Sequence, residues 1–213
     1  MTTKRLQDGG RAFRAQAPQP GRLILASGSA ARARLLTAAG VDFLTDPADI
    51  DEQALMPAAV DAGATALALA GLKALAVAAQ HPGMLVLGGD SVLDFEGERI
   101  SKSPDTAAAK ALLARLSGQT HRIVSAAVLV RDGTVIWRHV GEGALTMRPL
   151  SEAFLNAYLA AEAPAVLASV GCYHLEGRGA QLFDRIEGDF FSILGLPLLP
   201  LLAALREQGL LQS

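Results

Sequence analysis

The sequence predicts an α/β protein with a mixed central β-sheet flanked by helices, and three observations carry that prediction. Short apolar runs alternate with helical segments through the first half of the chain, the pattern of strand–helix–strand units. Two alternating segments then flank Asp132-Gly133, a strong signal for an antiparallel hairpin. Of the 213 residues, 51% are hydrophobic and only 19% are charged, which suits a full core and not a disordered chain. Parallel units followed by a hairpin give a mixed sheet rather than a purely parallel one.

Each element has a local cause. Residues 1–21 are polar, Arg-rich and Gly/Pro-rich without periodicity, and read as a disordered extension. The domain is expected over residues 22–213. Residues 22–27 (RLILAS) form a short apolar run, hence a buried strand. A helix follows over residues 29–39, with Ser29 as its N-cap and Gly40 as its stop. Residues 58–80 read as a long Ala/Leu-rich helix with one cation, Lys73. Residues 84–89 (MLVLGG) are a second buried strand, which places Asp90 just past its end. Ser103-Pro104-Asp105-Thr106 predicts a helix start with Ser103 as cap and Pro104 at the first helical position. That helix is expected to stop at Gly118. The hairpin strands cover residues 123–131 and 134–147, a further helix covers 151–162, and the last covers 197–208 and ends at Gly209.

Charge and cysteine usage narrow the function. The formal net charge is −2; a nucleic-acid coat or anionic-membrane binder would carry a basic excess. The longest uncharged run, residues 190–205, is interrupted by Pro197 and Pro200 and is too short to span a bilayer comfortably. One cysteine, Cys172, excludes an intrachain disulfide and fits a reducing, cytoplasmic compartment. It reads as a small buried apolar residue.

Five groups of residues could carry chemistry. Ser27-Gly28-Ser29-Ala30-Ala31-Arg32 forms a strand-to-helix turn. Such a turn presents backbone N–H groups and a helix N-terminus to an anion, and hydroxyls and Arg32 add donors suited to phosphate. Asp90, at the carboxyl edge of a sheet, could hold a divalent cation or activate a water. Asp51-Glu52 could add a second acid. Lys73 and Lys102 could neutralise phosphate charge. Glu176-Gly177-Arg178-Gly179 and Glu187-Gly188-Asp189 read as loops that approach a ligand closely. An ordinary turn, cap or surface charge is the competing reading of each group when taken singly. Arg34 points away from the turn and reads as solvated. The four histidines show no ligand spacing, and no zinc motif, P-loop or dinucleotide fingerprint is present.

Taken in order, these residues resemble the Maf family of nucleotide pyrophosphatases. The resemblance covers roughly residues 23–206. Its anchors are Leu25-Ala26-Ser27-Gly28-Ser29, Asp51-Glu52, Lys73, Gly89-Asp90, Lys102, the 116–121 segment LSGQTH, Glu176-Gly177, Ile186-Glu187-Gly188 and Gly195-Leu196-Pro197-Leu198. No single anchor is specific, but the ordered set is. The resemblance implies two lobes around a deep cleft, as in inosine-triphosphatase-like folds, and commonly a homodimer. It implies cleavage of a nucleoside triphosphate between its α and β phosphates, giving a monophosphate and pyrophosphate. Asp90 then matches the catalytic acid and Glu52 an acid near the metal. Ser27, Ser29, Arg32, Lys73 and Lys102 match the substrate-binding set. The triphosphate charge calls for Mg²⁺ or Mn²⁺ as cofactor, held near Glu52 and Asp90.

The chain departs from the family pattern at the positions tied to base choice. Ala31 stands where an Arg or Trp is usual, and Ser91 where dTTP/UTP branches have Thr and 7-methyl-GTP branches have Gln. Glu176 stands where the dTTP/UTP branch has Gln, as in the 7-methyl-GTP branch. A carboxylate there could accept from guanine N–H groups. Ala31, Ser91 and Glu176 are therefore the expected specificity residues. The expected substrate is 7-methyl-GTP-like, or else dTTP or UTP. A catalytically weak nucleotide-binding regulator of cell division is the alternative.

Overall fold

A computed structural model describes residues 22–50 and 61–212. The elements are β1 (Leu23–Leu25), α1 (Ala30–Ala38), β2 (Phe43–Thr45), α2 (Ala62–Ala78), β3 (Leu85–Phe95), β4 (Glu98–Ile100), α3 (Thr106–Leu116), β5 (Thr120–Arg131), β6 (Thr134–Met147), α4 (Glu152–Glu162), β7 (Phe183–Gly188), α5 (Phe190–Ile193) and α6 (Leu198–Glu207). The expected mixed α/β architecture is present. One seven-stranded sheet runs β2-β1-β3-β5-β6-β7, with β4 also paired to β3. β1 lies parallel to β2 and β3, while the pairs β3–β5, β5–β6 and β6–β7 are antiparallel.

The β5–β6 hairpin turns at Asp132-Gly133, both with positive φ (49° and 73°). That geometry matches the right-handed twist of the flanking strands.

Successive side chains of β3 point to opposite faces, and the core divides accordingly. Val86 and Val92 pack with α2 on one face. Leu85 and Leu87 pack with α1 and α6 on the other. A third cluster gathers α3 and α4 around the far ends of β3 and β5. Two adjacent glycines of β3 serve the two faces. A Cβ on Gly88 would lie 2.0 Å from the Ala70 carbonyl oxygen of α2, so the helix rests directly on the strand. A Cβ on Gly89 would lie 3.0 Å from Arg32 Nε on the other face.

Three expectations need correction. β3 does not end at Gly89 but continues through Asp90 to Phe95, then turns at Glu96-Gly97 into β4. The uncharged run ends at Asp90, but the strand does not. In the fold Asp90 and Asp94 are both buried and paired, with Lys73 and Arg122 respectively, so the charges do not stop the strand. Asp105, not Ser103, caps α3: its side chain accepts from the Ala108 N–H. Ser103 instead meets the buried Cys172 thiol at 3.2 Å. Finally, Asp61 caps α2 and accepts from Ala64 N–H, so that helix begins at Ala62. Residues 1–21, Asp51 and Glu52 lie outside the described residues.

Candidate active site

The sheet has a gap along one edge of β3. On the side away from β5, β3 pairs with β1 only over Leu85–Leu87 and with β4 only over Leu93–Phe95. No described strand covers residues 88–92 between them. Asp90 and Ser91 sit in the middle of this gap. Asp90 is thus in mid-strand, yet just beyond the carboxyl end of the parallel pair β1–β3, where open α/β sheets bind ligands.

The turn after β1 borders the gap. Ser27 and Ser29 lie there, and the Ser29 side chain caps α1 by accepting from Arg32 N–H. β4 runs antiparallel to β3, so the chain leaving Ile100 heads back toward the gap. Lys102 follows two residues later and is exposed.

On the α2 face, Lys73 donates to Asp90 Oδ1 at 2.6 Å. Both side chains are nearly buried, at 11% and 10% exposure. Lys73 belongs to the buried stripe of α2 together with Leu69, Ala70, Ala74 and Val77. The close seating of α2 on Gly88 brings its amine onto the strand. A close pair of opposite charges at such burial holds each side chain in one geometry.

On the opposite face, Arg32 is buried. Its Nε donates to the Gly195 carbonyl, Nη1 to Ser27 Oγ and Nη2 to Ser91 Oγ, each at 2.9 Å. Ser91 Oγ lies 2.7 Å from Ser125 Oγ, and Ser125 Oγ donates to the Ser192 carbonyl at 2.6 Å. Asp189 in turn caps α5 by accepting from the Phe191 and Ser192 N–H groups.

The predicted residues therefore fall into two sets on opposite faces of β3. Lys73 and Asp90 form one. Ser27, Arg32 and Ser91 form the other. Ala31 lies half-buried in the first turn of α1. Glu176 is held elsewhere, by Arg34 of α1 at 2.8 Å. Arg34 is thus an ion-pair partner and not merely solvated. Burial pushes the Glu176 pKa up, but the Arg34 hydrogen bond and charge bring it below the usual value.

Sequence reasoning did not single out Ser125 or the Arg34–Glu176 bridge. The signal for Ser125 was present, since it is a lone hydroxyl in the otherwise apolar 123–130 stretch IVSAAVLV. The bridge joins residues 142 apart in the chain and leaves no local trace.

The sequence model of the family described as Maf-like protein matches residues 22–208. The chain belongs to the Maf-like family. Within that family it is 50% identical over 192 residues to the 7-methyl-GTP pyrophosphatase of Mesorhizobium japonicum, covering 88% of this chain and 96% of the relative. It is 48% identical over 190 residues to the nucleoside triphosphate pyrophosphatase of Granulibacter bethesdensis, covering 87% and 96%. The 7-methyl-GTP pyrophosphatase of Rhizobium etli is 50% identical over 193 residues, covering 88% and 96%. These Maf-like relatives carry the names of hydrolases that act on acid anhydrides.

Among the described residues no group of three or more His, Cys, Asp or Glu could hold a metal ion. The donor chemistry still fits Mg²⁺, which is usually held by one or two carboxylates plus substrate phosphates rather than by a complete protein cage. Asp90 can supply one such carboxylate. No helix among the described residues is long and apolar enough to cross a membrane.

Proposed function

We propose that this chain is a nucleoside triphosphate pyrophosphatase that hydrolyses the α–β phosphoanhydride of a 7-methyl-GTP-like nucleotide, or else of dTTP or UTP. The observation that carries the reading is the buried Lys73–Asp90 pair in the gap of β3, in a chain of the Maf-like family. Close relatives named for 7-methyl-GTP and the carboxylate of Glu176 favour the methylated purine.

The chemistry follows from the charges. Water attacks the α-phosphorus while the bond to the bridging oxygen of the β-phosphate breaks. The departing group is pyrophosphate. Asp90 accepts the proton from the attacking water, and Lys73 holds its carboxylate in position. Ser27, Ser29, Arg32 and Lys102 bind the polyphosphate, since phosphoryl chemistry rests mainly on positioning and charge neutralisation. Mg²⁺ or Mn²⁺ bound at Asp90, with Glu52 as the second acid, would draw negative charge off the phosphate oxygens. Ala31, Ser91 and Glu176 select the base.

The catalytic unit is a single domain beginning at Arg22, acting in the cytoplasm as a homodimer. The buried thiol of Cys172 suits a reducing compartment. Exposed Val140, Ile186 and Phe190 around β6, β7 and α5 offer apolar surface for a second copy.

The test uses purified protein with Mg²⁺ or Mn²⁺ and dTTP, UTP, CTP, GTP and 7-methyl-GTP, reading monophosphate and pyrophosphate. Metal-dependent pyrophosphate release that vanishes in Asp90→Ala is the expected result. Release of orthophosphate instead, or no turnover of any substrate, would overturn the reading.

A further inference from the structure

A chain of hydroxyls links Arg32 to the interior, and its direction is fixed by counting hydrogens. A serine hydroxyl has one hydrogen and two lone pairs. The single hydrogen of Ser125 goes to the Ser192 carbonyl at 2.6 Å. In the 2.7 Å contact between Ser91 Oγ and Ser125 Oγ, Ser91 must therefore be the donor. Arg32 Nη2 donates to Ser91 Oγ at 2.9 Å, which occupies one of its lone pairs. Ser91 is left with one lone pair and no hydrogen to give.

We infer that Ser125 determines substrate selectivity by making Ser91 an acceptor only, so that a ligand N–H is favoured over a ligand carbonyl or ring nitrogen at that point. This rests on the reading of Ser91 as a residue that faces the nucleobase. Ser125 is itself fully buried and touches no ligand, so it is a positioning residue. Its place in the middle of β5, in register with Ser91, holds the two hydroxyls together. The Ser192 carbonyl that takes its hydrogen is fixed by the Asp189 cap of α5. Three elements, β3, β5 and α5, thus agree on one proton arrangement. Ser91 itself is half-buried, open enough for the remaining lone pair to meet a ligand.

Without the Ser125 hydroxyl, Ser91 regains a free hydrogen and can donate as well as accept. A neutral hydrogen bond gained or lost is worth a change of roughly 3- to 10-fold in affinity. The informative ligands are pairs that exchange a donor and an acceptor on the Watson–Crick edge, GTP against ATP and UTP against CTP.

The experiment measures Kd for the non-hydrolysable α,β-methylene analogues of these four nucleotides. The proteins are the wild type, Ser125→Ala, Ser125→Thr, Ser91→Ala and the Ser91→Ala/Ser125→Ala double variant. The expected result is a shift of roughly 3- to 10-fold in the GTP/ATP or UTP/CTP ratio in Ser125→Ala. The wild-type ratio is restored in Ser125→Thr, or, if the extra methyl perturbs the core, the shift is absent when Ser125→Ala is made on the Ser91→Ala background. Unchanged ratios in Ser125→Ala, or a shift that persists without the Ser91 hydroxyl, would overturn the inference. Turnover of the natural triphosphates is read in parallel. Its absence in the wild type would remove the proposed activity while leaving the Kd ratios to decide the role of Ser125.

Discussion

Gly88→Ala is a sharp test of how the site is held together. The new Cβ would sit 2.0 Å from the Ala70 carbonyl oxygen and 2.9 Å from both Ala74 N and Cβ. Ordinary contact begins near 3.4 Å, so the shortfall against the helix backbone is about 1.4 Å. Backbone cannot swing aside as a side chain can, and α2 must move off β3 by on the order of 1 Å. Lys73 lies between Ala70 and Ala74 on that helix, and its partner Asp90 lies two residues along the same strand face. A displacement of that size stretches the 2.6 Å Lys73–Asp90 contact beyond hydrogen-bonding range. Overpacking of this kind costs about 1–3 kcal/mol, which for a chain of this size lowers Tm by roughly 2–12 °C. A misplacement of about 1 Å in a catalytic group can cost around 100-fold in rate. Thermal melting and kcat/KM for pyrophosphate release measure both effects. Gly71→Ala provides the comparison. It lies on the same helix with no described atom within 4 Å of its new Cβ, and should stabilise by about 0.5–1 kcal/mol with activity intact. Wild-type Tm and activity in Gly88→Ala would refute the claim that direct seating of α2 on the strand places Lys73.

Three further outcomes are expected. Asp90→Asn should lower kcat by roughly 10²- to 10⁴-fold with a smaller change in KM, measured in steady state; retained kcat would remove Asp90 from the chemistry. Glu176→Gln should move relative kcat/KM toward UTP and dTTP, while Tm shifts little because its bridge to Arg34 is exposed; unchanged ratios across the nucleotide panel would contradict its role in base choice. His121 is held neutral by burial, with its pKa pushed down from 6.5 to about 4. The unfolded chain therefore takes up this proton near pH 6.5 and the folded chain only near pH 4, so the stability it contributes is full above pH 6.5 and is lost as pH falls toward 4. His121→Gln should flatten Tm against pH in that window, and an unaltered slope would show that another group is responsible.

Much of the fold was legible because local signals and tertiary structure agreed. Ser29 caps α1 as its position suggests, and α4 lies where the sequence places a helix, with Ser151 as its cap. Asp132-Gly133 makes the turn its residues favour. The misreadings share one cause, which is that a polar residue was judged without its distant partner. Asp90 looked like the end of a strand until Lys73 compensated its charge, and Arg34 looked solvated until Glu176 came to meet it. Ser103 looked like the cap of its helix, but the fold uses Asp105 for α3 while Ser103 meets Cys172. In the candidate site, the family pattern pointed to Asp90, Lys73 and Arg32. It did not show that the pleat of β3 turns Asp90 and Ser91 to opposite faces, nor that Ser125 stands behind Ser91.

That alternation has an evolutionary consequence. Neighbouring letters of the sequence, Asp90 and Ser91, answer to different helices: one to α2, the other to the Arg32 end of α1. Mutations that drift through α1, β5 or α5 can reshape what Ser91 meets while the Lys73–Asp90 contact on the far side stays untouched. On the proposed roles of Ser91 and Asp90, a lineage built on such a strand can diversify its diet of nucleotides without having to reinvent the cut.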